Sequence, residues 1–141
     1  MTATMKFKLS AIVLLAMIPS APATAATLTD AEATFLDQLV TAGTVLAQRC
    51  TGYEANGTGG VQLGARHLGS PDAAMAMIAA YDAAIKASDG EAYDRSKFRP
   101  EVSEAAGKTS NRVLAALMKN PKTACADYGE TSVEHGLLRR Y

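Results

Sequence analysis

The stretch TDAEATFLDQLVTAGTVLAQRC, residues Thr29 to Cys50, decides the fold class. Thr29-Asp30-Ala31-Glu32 has the form of a capping box, in which the Thr hydroxyl accepts from the N3 amide while the Glu carboxylate reaches back to the cap amide. Phe35, Leu39, Ala42, Leu46 and Cys50 follow at steps of four, three, four and four, and Leu36, Val40 and Val45 widen the stripe. Such spacing places apolar side chains on one side of a helix. The segment therefore predicts an amphipathic helix that ends near Thr51-Gly52 and carries Cys50 inward in its last turn.

Working towards the C-terminus, Gly52, Gly57, Gly59 and Gly60 mark residues 51 to 60 as a loop. Val61 to Leu68 reads equally as a short helix or an extended piece. Ser70 is a natural N-cap, Pro71 suits the first helical position, and Asp72 favours the positive end of the helix dipole. Ala73 to Ala87 is Ala-rich, with Met75, Ile78, Tyr81 and Ile85 expected on its buried face. A third helix is expected from Pro100 to about Lys119, with Phe98, Val102 and Ala106 on its early face and Val113, Leu114 and Leu117 on its later one. Gly107 and Thr109-Ser110-Asn111 weaken its middle and suggest a bend. Asn120-Pro121 ends it, Cys125 falls in a short return segment, and Thr131 to Tyr141 reads as a frayed helical turn. No internal repeat and no strand-like alternation of any length is evident. The expectation is an all-α fold: a small bundle of three to four helices closed by one disulfide. Phe35, Leu39, Leu46, Ile78, Ile85, Val113 and Leu117 supply the bulk of its core.

Working towards the N-terminus, residues 1–25 have the layout of a cleaved secretory signal. Lys6 and Lys8 precede an apolar run from Leu9 to Ile18, Pro19 and Pro22 stop it, and Ala23-Thr24-Ala25 supplies the small residues that signal peptidase needs. Met5 serves as a start as well as Met1. The apolar run is too short for a spanning helix, and nothing in 26–141 is long and apolar enough to span a membrane. One helical domain, residues 26–141, is expected in the periplasm or outside the cell. Two cysteines remain there, and an isolated even pair in an oxidising compartment reads as one structural disulfide, Cys50–Cys125. In a secreted eukaryotic chain Asn56-Gly57-Thr58 would be a glycosylation acceptor, although the triplet also reads as a plain Gly-rich turn.

The chain is 48% hydrophobic but only 6% aromatic, with no Trp, and its 14 basic and 14 acidic residues cancel. That balance gives no argument for nucleic acid. The charge is unevenly spread: residues 26–91 carry eight acids against three bases, and residues 92–141 carry nine bases against six acids. Arg95, Lys97, Arg99, Lys108, Arg112, Lys119 and Lys122 form a candidate interaction surface. The plain alternative is a basic helix that docks on the acidic ones within one bundle.

No catalytic, metal or cofactor motif is found. His67 and His135, the two histidines, have no ligand spacing. Asp89-Gly90-Glu91 with Asp94 lacks the oxygen-ligand series of a calcium loop. Gly69-Ser70-Pro71 is a helix start rather than a nucleophile elbow, and the glycine-rich loop lacks the Gly-Lys-Ser/Thr of a phosphate cradle. Without Cys-x-x-Cys-His there is no covalent haem.

In size, compartment and single Cys pair the chain resembles, at the level of architecture, the small disulfide-stapled helical acid-stress chaperones of the bacterial periplasm. No motif is shared and no functional residue is carried over. The function expected is a non-enzymatic periplasmic binding or accessory protein that contacts another periplasmic or envelope protein, with a homodimer as a further option. The alternatives are a chaperone-like stress protein and a small-molecule or metal carrier, in which Tyr53, Tyr81 and Met77 would line an Ala-rich groove.

Overall fold

Helix caps account for most of the architecture. A computed structural model describes residues 26–141; the expected leader lies outside the described residues. The elements run α1 (Asp30–Ala47), β1 (Tyr53–Ala55), α2 (Gly59–Leu68), α3 (Pro71–Ser88), α4 (Pro100–Lys119), α5 (Pro121–Glu134) and β2 (Leu138–Arg140). At Thr29 the capping box is complete: Oγ1 accepts from the Glu32 amide at 3.1 Å, and Glu32 Oε1 accepts from the Thr29 amide at 3.1 Å. Ser70 Oγ accepts from the Ala73 amide at 3.1 Å, with Pro71 at the first helical position. α4 runs without a break through Gly107 to Lys119, so the expected bend is absent. Its early face loses Phe98, which precedes the helix and lies beside Tyr93 at 5.6 Å between ring centroids.

The fold is helical, but among the described residues the count of three to four helices is corrected to five. Asn120-Pro121 does end α4, yet the same pair also starts α5, because Asn120 Oδ1 accepts from the Thr123 amide at 3.3 Å and a proline at the first helical position forfeits no hydrogen bond. Cys125 therefore lies on a helix rather than in a return segment. The residues α5 buries are small, Ala124, Gly129 and Ser132, so no apolar stripe announces it. α2 begins inside the expected glycine loop and settles the 61–68 ambiguity as helix.

α1 ends at Ala47, a turn earlier than expected. Arg49 takes a left-handed φ of 55° while its amide bonds Leu46 O and the Cys50 amide bonds Val45 O. This is a Schellman ending with arginine where glycine is usual, and it turns the chain so that Cys50 meets Cys125 with the Cα atoms 5.5 Å apart. The expected helical tail, Thr131 to Tyr141, is helical only as far as Glu134, the end of α5, and then gives way to a strand. β2 pairs antiparallel with β1 in the register Tyr53↔Arg140, Glu54↔Arg139, Ala55↔Leu138. Three residues are too few to show alternation in a sequence.

Phe35, Leu36, Val40, Val45, Met77, Val102 and Val113 are fully buried around α1, which packs against α2, α4 and α5. On α3 the expected buried face is rotated. Ala74, Met77, Ala80 and Ala84 point inward, while Met75 is 57% and Ile85 42% exposed. Close helix approach selects the small side chains for the seam. A Cβ at Gly64 on α2 would stand 2.5 Å from Ala74 Cβ and 2.6 Å from Phe35 Cζ. Of the other large residues expected in the core, Leu117 is buried, and Leu39, Leu46 and Ile78 are partly buried against it.

Candidate functional site

An open groove of about 510 Å³ lies where the C-terminal halves of α1 and α3 meet the middle of α4. Gly43 and Ala47 on α1, Ala84 on α3, and Ala106 and Gly107 on α4 line it together with Val40, Ile85 and Leu114. Tyr81 enters from α3 and lies over Gly43, where a Cβ would come within 2.9 Å of its Oη. Burial pushes the Tyr81 phenol above its ordinary pKa, so the hydroxyl stays neutral across the physiological range and is available as a donor. Thr44 spends its hydroxyl on Val40 O at 2.7 Å. Ser88, Ser103, Ser110, Asn111 and Gln48 complete the lining, with Asp89 the one charged residue and no Lys, Arg, His or Cys. The lining offers apolar contact and a few neutral hydrogen-bonding groups, and no nucleophile–base pair is among its residues.

Of the three residues expected in such a groove, only Tyr81 lines it. Met77 is core, and Tyr53 packs over Gly129 and donates to Glu130 Oε1 at 2.9 Å.

The seven basic residues of the candidate surface are spread along α4, a helix about 30 Å long at 1.5 Å per residue, and its flanks. Arg99 Nη1 bonds Glu32 Oε2 at 2.8 Å and its Nε bonds Glu101 Oε1 at 2.7 Å. This guanidinium holds both carboxyls below their ordinary range, and Glu32 in turn raises Arg99. Arg112 reaches Asp37 on α1 at 2.7 Å, on the same oxygen that accepts from Thr109 Oγ1 at 2.9 Å. Two cations therefore tie α4 to acidic α1. Lys108 pairs with Glu104 within α4 at 3.1 Å. Among the described residues Arg95 and Lys97, before α4, and Lys119 and Lys122, at the α4–α5 corner, form no ion pair.

The two histidines, distant in sequence, meet one amide. His67 Nε2 lies 2.9 Å from Gln38 Oε1, and Gln38 Nε2 lies 3.5 Å from His135 Nε2. Sequence spacing gave no sign of this. Among the described residues no three His, Cys, Asp or Glu side chains cluster to hold a metal. Asp94 closes a local turn, accepting from the Ser96 amide at 3.0 Å and its hydroxyl at 2.6 Å.

Comparison with protein-family models, with curated proteins and with solved structures returns no match.

Proposed function

We propose that the chain is a non-enzymatic binding protein of the periplasm, exported by a leader at residues 1–25, which holds a ligand in the groove between α1, α3 and α4. The observation that carries this reading is the groove itself. Its volume of about 510 Å³ and its apolar lining with a few neutral polar groups match the general form of small-ligand sites. The Cys50–Cys125 disulfide and the absence, among the described residues, of a helix long and apolar enough to cross a membrane are compatible with that compartment. The test is native mass spectrometry of the protein released from its own envelope. Added mass that leaves on denaturation, and that is absent from an Ala47→Trp variant in which an indole fills the exposed rim, supports the reading. A bare chain in both samples refutes it.

One observation favours a second reading, contact with an acidic envelope protein or with another copy of the chain. Met118, 83% exposed, stands beside Lys119 at the corner that Lys122 shares. Chemical cross-linking in the envelope tests it: the reading requires a cross-linked species that Lys119→Glu with Lys122→Glu abolishes.

A further inference from the structure

We infer that the ligand of the α1–α3–α4 groove is a small organic cation with an apolar body. The inference rests on the groove being the binding site and adds the charge of what it binds. Three features of the lining set that sign. Two helices end in the groove: Ala47 and Gln48 at the end of α1, and Ser88 and Asp89 at the end of α3, all belong to its lining. A helix C-terminus carries roughly half a negative charge on its unpaired carbonyls. Among the described residues the carbonyls of Ala47, Gln48 and Ser88 accept no backbone amide.

The carbonyls of Val45, Leu46, Ile85, Lys86 and Ala87 accept amides of the turns that follow, but no basic side chain compensates the two ends. The last turn of α1 has no basic residue. The last turn of α3 has Lys86, whose ammonium is engaged by Asp82 at 2.9 Å. Arg49, the other cation near these ends, is exposed and outside the lining. The second feature is Asp89, a carboxylate with no opposite charge among the lining residues. The third is Tyr81, the aromatic residue of the lining, since aromatic rings attract cations and favour ammonium groups that are weakly hydrated.

The same lining argues against other ligand classes. An anion would face two helix C-termini and a carboxylate, with no cation among the lining residues. A hard metal ion needs several oxygen ligands of high charge, and the one carboxylate of the lining does not supply them. Val40 and Leu114 instead favour a hydrocarbon or aromatic body attached to the charge.

The test is a matched trio of probes, 2-phenylethylammonium, 2-phenylethanol and 3-phenylpropanoate, titrated to millimolar concentration into the oxidised protein. The readout is amide NMR shifts at Gly43, Ala47, Ser88 and Gly107. The ammonium is expected to move these amides with an affinity several-fold above that of the alcohol, and the carboxylate to leave them unmoved. Asp89→Asn should lower the ammonium affinity about two- to fivefold, the range of an exposed charge pair, and leave the alcohol unchanged. Added salt should weaken only the ammonium. Equal or tighter binding of the alcohol or the carboxylate overturns the charge assignment and leaves the groove as the site. No shift at these amides with any probe overturns the groove reading and the inference with it.

Discussion

Adding one methyl group at two glycines should change stability in opposite directions. Gly64 lies in α2 and Gly107 in α4, both in helical backbone, where alanine is preferred over glycine by about 1 kcal/mol. At Gly107 a Cβ meets nothing within 4 Å, so that preference acts alone and Gly107→Ala should stabilise by about 0.5–1 kcal/mol. At Gly64 the Cβ would stand 2.5 Å from Ala74 Cβ and 2.6 and 2.7 Å from two carbons of the Phe35 ring. Ordinary contact begins near 3.5 Å, so α2 would have to move by roughly an ångström from two neighbours that are both 0% exposed. Overpacking of this kind costs about 1–3 kcal/mol and outweighs the gain in propensity. Gly64→Ala should therefore destabilise by about 1–2 kcal/mol net. Urea unfolding of wild type and both variants measures this, and m should be unchanged, since the surface exposed on unfolding hardly differs. Phe35→Leu in the Gly64→Ala background should cost less than Phe35→Leu alone, because the smaller side chain relieves the clash. The reasoning fails if Gly64→Ala matches Gly107→Ala in sign, or if the two changes at Phe35 and Gly64 are additive.

Three further outcomes follow from the caps, the staple and the ion pairs. The disulfide spans a sequence separation of 75, for which the loop-entropy argument gives about 4.5 kcal/mol as an upper figure; the Cys50→Ala, Cys125→Ala protein should lose about 2–4 kcal/mol in urea unfolding, and a loss below about 1 kcal/mol would contradict the entropic account. Arg49→Gly should raise stability by about 0.5–1 kcal/mol, because the left-handed residue no longer crowds its Cβ while the unfolded chain gains some freedom; an unchanged or lower urea midpoint would refute it. Glu32 and Glu101 have carboxyl pKa values lowered mainly by hydrogen bonds from Arg99, so their contribution is fully present above the ordinary carboxylate pKa and is lost as pH falls through that value to the lower folded one. Arg99→Gln should accordingly flatten the acid limb of stability against pH relative to wild type, and an unaltered limb would show that these pairs do not act in folding.

Legibility in the sequence followed side-chain chemistry that acts locally. The Thr29–Glu32 box and Ser70-Pro71 could be read because caps act over three residues, and α1 because its buried face is made of large residues. α3 misled because its seam is alanine: Met75 and Ile85 look like core, yet close helix approach turned Ala74, Ala80 and Ala84 inward. α2 and α5 were hidden for a related reason, since Gly64 and Gly129 are required by Phe35 and Tyr53, which lie far away in the chain. The basic tilt of residues 92–141 was visible, but the ion pairs of Arg99 and Arg112 with α1 depended on how the helices align. The groove was the least legible part. Gly107 and the alanines that line it leave no periodic signal, whereas Tyr81 is legible because an aromatic among alanines stands out.

The excursion from β1 through α2, α3 and α4 to α5 and β2 is closed at its base twice, and the two closures differ in chemistry. One is the Cys50–Cys125 bond, which a reductant opens and acid leaves alone. The other is the β1–β2 pair, flanked by Glu54 on Arg139 and by Glu130, which receives both the Tyr53 hydroxyl and Arg140. Salt weakens those exposed ion pairs by screening, and thiols do not touch them. A reductant acting alone therefore removes one fastening and leaves the other in place, so the middle helices stay held at their base by the β1–β2 pair when the disulfide opens.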